Sequence, residues 1–445
     1  MHTWYEQAVF YHIYPLGLLG AEKTNTLTET AHRLTELESW IPHISDLNGS
    51  AIYIGPLFES SSHGYDTRDY KLVDRRLGTN EDFRHFTKLC HEAGIKVVVD
   101  GVFNHTGREF FAFRDIQKNR EGSRYCGWYK GVNFGWNSPY NDGFGYEAWQ
   151  GHFELPCLNL WNPDGRQYLF DSIRFWVDNF DIDGIRLDCA NVLDFGFMKE
   201  LREKTSAMKP DFWLMGEVIH GEYNRWVNPE MLHSVTNYEL HKALYSGHND
   251  HNYFEIAHNV RRLEAVGRSL YTFVDNHDED RIASKLNNLA NLFPVYQLLF
   301  TLPGIPSVYY GSEWGIEGKR SRTSDEVLRP ALNLSDMLGK APELASHIAA
   351  LGKIHTENDA FHNGSYKELL LTNRQYAFSR SGEHGTVISA VNNDEQPASI
   401  SIPLPCAASD VVSLLPGEIP FSLENGRLSV TLPANGGAIF KLQEV

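Results

Sequence analysis

Before about residue 312 the chain alternates short apolar segments with helix-like stretches, and eight segments have strand character. They are Val9–Gly17, Ala51–Pro56, Lys96–Phe103, Asp183–Asp188, Phe212–Glu217, Ser234–Glu239, Leu270–Asn276 and Ile305–Gly311. The segments between them carry apolar residues at helical spacing, as in Thr28–Ile44, Asp82–Ala93, Gly165–Phe180, Asp194–Lys209 and Phe293–Leu302. Eight β–α units in a row predict a (β/α)₈ barrel, closed by a last helix at about Pro342–His355.

The alternation breaks once. From Asn104 to about Trp161 the chain is rich in Gly, Asn and aromatic residues without clear periodicity. A stretch this long is expected to be an inserted subdomain, because structureless loops of that length are uncommon in compact domains. After Asn358, segments of alternating polarity separated by turn residues predict an antiparallel β domain. The expected division is therefore α/β barrel over 1–103 and 161–357, an inserted subdomain over 104–160, and a β-sandwich-like domain over 358–445.

Composition narrows the function classes. The formal charge is −17, with no long basic run, which argues against a nucleic-acid partner. No apolar run approaches the roughly 20 residues that span a bilayer. The N-terminus lacks the basic and apolar regions of a signal peptide, and the five cysteines (Cys90, Cys126, Cys157, Cys189, Cys406) are scattered without a CxxC pair. Free thiols in a cytoplasmic protein are expected. Aromatic side chains crowd the insert, among them Tyr125, Trp128, Tyr129, Phe134, Trp136, Tyr140, Tyr146 and Trp149. They either pack the subdomain or offer faces for sugar rings.

Active sites of such barrels lie at the C-terminal ends of the strands. Those ends read Asp100-Gly-Val-Phe-Asn104-His105, Arg186-Leu-Asp188, Gly216-Glu217 and Asp275-Asn276-His277-Asp278, with Tyr65-Asp66 in the loop after strand two. Burying so many charges costs several kcal/mol per unpaired ion, so the set points to a functional site. Two chemistries suit it. One is metal-assisted hydrolysis through Asp, Asn and His ligands, although HxH and HExxH spacings are missing. The other is glycoside cleavage by a carboxylate pair.

The segments DGVFNH (100–105), GIRLD (184–188), GE (216–217) and FVDNHD (273–278) resemble the four ordered motifs of the α-amylase superfamily, glycoside hydrolase family thirteen. GPLFESSSHGYDTRDY (55–70), LPCLN (155–159) and GIPSVYYGSE (304–313) agree with it, so the resemblance runs from Trp4 to about His355. It implies a retaining hydrolase of α-glucans. Asp188 matches the nucleophile, Glu217 the general acid/base, and Asp278 the third carboxylate. Arg186 matches the partner of the nucleophile. His105 and His277 match sugar ligands, and Tyr65 matches the platform beneath the sugar. Asp66 and Arg281 either bind sugar or pair with the scaffold. Asp100, Asn104, Gly304, Pro306 and Glu313 match structural positions.

Four departures, at Cys157, Cys189, Asn191 and Val192, bear on metal binding and substrate. Cys157 stands where many relatives carry an Asp that ligates calcium, so no metal or other cofactor is expected at that position. Cys189 follows the candidate nucleophile where α-1,4-specific relatives often have Ala and α-1,6-specific ones Val. Asn191-Val192 replace the Lys-His pair of long-chain amylases. The stretch GIRLDCANV is similar to the cyclomaltodextrinase and neopullulanase branch, whose extra N-terminal domain builds a dimer. The first strand here starts by Val9, so the oligomeric state stays open. The expected substrates are maltooligosaccharides or cyclodextrins. A transglycosylase or disaccharide-specific α-glucosidase is the alternative, and a non-catalytic sugar-binding protein the remote one.

Overall fold

The computed structural model describes residues 3–444. Eight strands form one parallel sheet: β1 (Phe10–Ile13), β2 (Ala51–Ile54), β3 (Lys96–Gly101), β4 (Gly184–Leu187), β5 (Trp213–Gly216), β6 (Ser234–Val235), β7 (Tyr271–Thr272) and β8 (Ile305–Tyr309). Hydrogen bonding runs in the order β6-β5-β4-β3-β2-β1-β8-β7, and a parallel bridge between Thr236 and Tyr271 closes the ring. The expected barrel is present. Among the described residues, no helix is long and apolar enough to cross a membrane.

Side chains alternate across each strand, so a barrel strand has one face inward and one toward the helices. The inward set fills the lower barrel as one cluster, including Phe10, Ala51, Tyr53, Val98, Trp213, Met215, Tyr271 and Ile305. The outward set, including Tyr11, Ile52, Val97, Ile185 and Leu214, packs in the larger core shared with the helices. Gly184 makes room for Trp213 inside the barrel: a Cβ there would lie 2.6 Å from the Trp213 carbonyl oxygen.

Several elements differ from the sequence reading. The expected helix Thr28–Ile44 is instead a 3₁₀ turn over Arg33–Ser39 followed by a helix over Trp40–Asp46. Pro42 explains the restart, since a proline lacks the N–H of a helix interior but fits a first turn. The expected strand Ser234–Glu239 stops at Val235, because Asn237 caps the helix Tyr238–Asn249 by accepting from the Leu240 N–H at 3.0 Å. After β2 the chain forms an unforeseen hairpin, Phe58–Ser60 with Thr67–Val73, which carries Tyr65 and Asp66 in its connecting loop. Buried Asp74 pins that hairpin by accepting from the Ser60 N–H and hydroxyl and pairing with Arg76.

Between β3 and β4 lie a helix, Phe111–Asn119, and a hairpin, Ala148–Trp149 with His152–Pro156. The C-terminal region forms a five-stranded and a three-stranded antiparallel sheet. Their facing residues, such as Ile388, Ala390, Leu428, Leu432 and Phe440, make a separate core. This region is tied to the barrel by Gln297 of helix Leu292–Thr301, whose amide donates to Ser389 Oγ, the Ala390 carbonyl and the Ala438 carbonyl at 3.0–3.1 Å.

Candidate active site

The period-two alternation continues upward from the apolar barrel interior and changes chemistry at its top. On β3 the inward residue after Val98 is Asp100. On β4 the inward positions after Gly184 are Arg186 and Asp188. On β5 they run Trp213, Met215, Glu217. Register agrees: Asp100 pairs with Arg186, and Arg186 with Met215. One layer above the apolar fill, the pleat therefore aims three acids and an arginine at a common centre.

Arg186 is that centre. Its Nη1 donates to Asp100 Oδ1 at 2.9 Å and to Asp188 Oδ1 at 3.0 Å. Its Nη2 lies 3.0 Å from Glu217 Oε1. Buried charge survives only with paired donors and acceptors, and here one guanidinium serves three carboxylates. Tyr53 adds a hydroxyl bond to Asp100 Oδ2 at 2.8 Å. Gly55 leaves space for that carboxylate; a Cβ there would come within 2.5 Å of it.

Glu217 and Asp188 are also bridged by the residue between them in space. Cys189 adopts a left-handed backbone, φ +39°, just beyond β4. Its N–H donates to Glu217 Oε2 at 3.0 Å, and its thiol to Asp188 Oδ2 at 2.9 Å. Burial pushes the Glu217 carboxyl above its ordinary range. Arg186 opposes this, while the charges of Asp188 and Asp278 reinforce it. Asp278 goes the other way. Burial raises it, but His277, Arg329 and Arg186 outweigh that and hold it far below the usual carboxylate range. Two carboxylates with opposed protonation preferences thus share one mouth.

His277 and Tyr65 form the wall beside Asp278. The rings stack at 5.7 Å between centroids, and the Tyr65 hydroxyl lies 2.7 Å from His277 Nε2. Tyr14 stacks on His277 as well, at 5.6 Å. Near the Tyr65 backbone, buried His105 turns Nδ1 to the Asn104 amide at 3.1 Å, and its Nε2 makes no hydrogen bond of ordinary geometry. Trp149 of the insert hairpin reaches the same spot, its ring 5.9 Å from that of His105. The structure thus gathers Asp188, Glu217, Asp278, Arg186, His105, His277 and Tyr65 around one centre.

Two residues considered as sugar ligands, Asp66 and Arg281, direct hydrogen bonds at the protein itself in this structure. Asp66 is buried and accepts from the Ser62 N–H and hydroxyl at 3.1 and 2.7 Å, closing the hairpin tip. Arg281 is fully buried; it donates to the Tyr310 and Leu328 carbonyls and to Ser312 Oγ, and its guanidinium sits 4.1 Å from the Tyr309 ring centroid. Each satisfies neighbouring backbone groups that would otherwise be buried without partners.

The sequence reading missed Arg329. It comes from the loop after β8, donates to Asp278 Oδ1 at 2.7 Å and to the His277 carbonyl at 2.9 Å, and lies over Tyr14. No strand end marks it, so only the fold reveals it. Tyr14 and Arg329 also border a cleft of about 990 Å³ that runs past His63, Arg320 and Asp325 to the surface. Glu313, expected to be structural, is buried and accepts from Tyr11 and pairs with His43.

A family model described as alpha amylase, catalytic domain, matches residues 25–337. The chain belongs to the alpha-amylase family. It is a glycoside hydrolase of that family. A cyclomaltodextrinase of Geobacillus thermopakistaniensis is 29% identical across 99% of this chain and 78% of its own length. Another, from Thermoanaerobacter pseudethanolicus, is 32% identical over 80% of this chain and 62% of its own. The solved Nostoc punctiforme debranching enzyme, soaked with acarbose, superposes with a TM-score of 0.84 at 27% identity, covering 98% of both chains.

Proposed function

We propose that this chain hydrolyses α-glucosidic bonds of maltooligosaccharides or cyclodextrins with retention of configuration. The observation that carries the reading is the shared guanidinium of Arg186, which orients Asp188 and Glu217 together while burial and two neighbouring charges favour the protonated form of Glu217. In the first step an Asp188 oxygen attacks the anomeric carbon, the glycosidic bond breaks, and Glu217 gives its proton to the departing sugar oxygen. The product is a glycosyl ester on Asp188. Glu217, now a carboxylate, takes a proton from water as the water's oxygen attacks the same carbon and the ester bond breaks. Two inversions leave the α configuration.

Asp278 stays ionised and accepts hydrogen bonds from the hydroxyls of the distorted ring, held for that by Arg329 and His277. Tyr65 supports the ring's apolar face. His105 Nε2, which makes no hydrogen bond of ordinary geometry within the protein, is placed for a hydroxyl of the same sugar. The cleft past Tyr14 and Arg329 falls in the range of about 300–1,000 Å³ of ligand sites and suits further glucose units. The relatives' names, cyclomaltodextrinase and debranching enzyme, support an α-glucan of either linkage. The five free thiols support a cytoplasmic location.

Purified protein incubated with maltoheptaose, β-cyclodextrin and pullulan tests this. Reducing sugar released from at least one of them in the α anomeric form is the expected result. No release from any of the three, or release as the β anomer, would overturn it. Elongated products at high acceptor concentration would mark the transglycosylase instead.

A further inference from the structure

We propose that Asp188, Cys189 and His105 form an inhibitory binding site for a borderline-soft divalent cation, of which Zn²⁺ is the type. A nitrogen, a sulfur and an oxygen donor converge there. One ligand atom from each residue lies within 4.8 Å of the other two. Among the described residues this is the one such cluster of His, Cys, Asp or Glu. The donor set matters more than the count. Imidazole and thiol suit zinc and its neighbours, whereas Ca²⁺ and Mg²⁺ need oxygen ligands.

His105 supplies the second observation. The residue is 1% exposed, and its Nε2 makes no hydrogen bond of ordinary geometry, with the Tyr65 backbone the nearest polar group credited to the ring. A buried imidazole nitrogen without such a bond is an unmet demand in a polar pocket. Its Nδ1 already faces the Asn104 side-chain amide at 3.1 Å. Presenting the Asn104 oxygen instead of its nitrogen fixes the proton on Nδ1 and frees the Nε2 lone pair; an amide rotation does this without moving the backbone. The amide oxygen then acts as the outer partner that metal-bound histidines ordinarily have.

Cys189 is already aimed. Its left-handed backbone turns the thiol toward Asp188 Oδ2 at 2.9 Å. Zn–S and Zn–N bonds of about 2.3 and 2.0 Å at tetrahedral angles put donors roughly 3.5 Å apart, so the three groups need shift by only about 1 Å. The cation takes the place of the thiol proton between sulfur and carboxylate. That proton leaves to solvent, the imidazole remains neutral, and no electron is transferred. Three protein ligands leave one coordination position for water.

A cation held there neutralises Asp188 and fills the space of the sugar. It therefore excludes substrate, a consequence that rests on the proposed function; binding itself does not. The test uses the full chain, treated with chelator and titrated with Co²⁺ as a coloured stand-in for Zn²⁺. One Co²⁺ per chain should bind with a thiolate-to-metal charge-transfer band, which equimolar Zn²⁺ removes. Cys189→Ser and His105→Gln should each weaken binding at least tenfold and, for Cys189→Ser, abolish the band. Cys406→Ser should change neither, since Cys406 is exposed and remote in sequence from the cluster. Circular dichroism separates loss of the site from loss of the fold; Cys189→Ala provides a second variant.

A wild-type protein without the band, or a band that survives in a folded Cys189 variant, overturns the proposal. Maltoheptaose should also displace the cation. If Co²⁺ binds through Cys189 but no glucan competes or is cleaved, the metal site stands and the proposed function falls.

Discussion

Arg329 donates to Asp278 Oδ1 at 2.7 Å from a loop 51 residues further along the chain. This bond links the loop after β8 to the acid after β7. A second bond from the same guanidinium to the His277 carbonyl makes the contact two-pointed, which lysine cannot reproduce. A charge-assisted hydrogen bond contributes about 1.5–3 kcal/mol. Arg329→Ala should therefore lower kcat/KM by roughly 10- to 100-fold, with Arg329→Lys between it and the wild type. Steady-state kinetics on maltoheptaose check this; an unchanged kcat/KM in Arg329→Ala would show that the bond does not orient Asp278 for catalysis.

As the proposed acid, Glu217 should govern the alkaline side of the pH profile. Its folded pKa is raised, so the protonated acid persists to higher pH than an ordinary glutamic acid, and activity falls as pH rises through that shifted value. Glu217→Gln should cut kcat on maltoheptaose by about 10²- to 10⁴-fold and erase the alkaline limb. α-Glucosyl fluoride needs no proton to lose its leaving group. Glucosylation by the variant should persist with this substrate, and mass spectrometry should show a glucosyl adduct on Asp188. An alkaline limb retained in Glu217→Gln would assign it to another group.

The barrel strands and their upper acids were legible together because each acid closes an apolar run of strand character. Period-two alternation puts Val98, Gly184 and Trp213 in the apolar fill, and the same count puts Asp100, Arg186, Asp188 and Glu217 above it. Sequence position alone decided those. Arg329 escaped because loops have no such period; its place depends on where the chain after β8 folds back over Tyr14. Asp66 and Arg281 were ambiguous for a related reason. A polar residue beside a strand end serves either ligand or backbone, and only the hydrogen-bond inventory, Ser62 for one and Tyr310 and Leu328 for the other, shows which.

At the opposite end of β4, Asp183 makes a stability centre. It is buried, with His91 Nε2 at 2.7 Å, Lys209 Nζ at 2.9 Å, Lys96 Nζ at 3.1 Å and the Val97 N–H at 2.9 Å. Burial raises its pKa, but His91, Lys209 and the Val97 N–H outweigh this, so the folded value lies well below the unfolded one. A depressed acid contributes stability that is complete above the unfolded value, about 3.9, and is lost as pH falls from there toward the folded value. Asp183→Asn should destabilise the fold by about 3 kcal/mol at pH 7, and the difference from wild type should shrink below about pH 4. Urea unfolding at pH 7 and pH 3.5 measures both; an equal difference at the two values would exclude the linkage.

Gly184 tests the barrel interior that carries the site. A methyl there meets the Trp213 carbonyl oxygen at 2.6 Å, the Trp213 Cβ at 3.1 Å and Val98 Cγ2 at 3.2 Å. The nearest of these is backbone of the neighbouring strand, which cannot rotate away as a flexible side chain can. Overpacking of this kind costs about 1–3 kcal/mol. The strain falls between β4 and β5, two positions below Arg186 and in register with Trp213, so it should tilt Arg186 relative to Glu217 as well as lower stability. Gly184→Ala should thus lose thermal stability and, at a temperature where it is fully folded, also lose kcat. A variant that is destabilised but retains wild-type kcat would show that the layer bearing Arg186 is insulated from the packing beneath it.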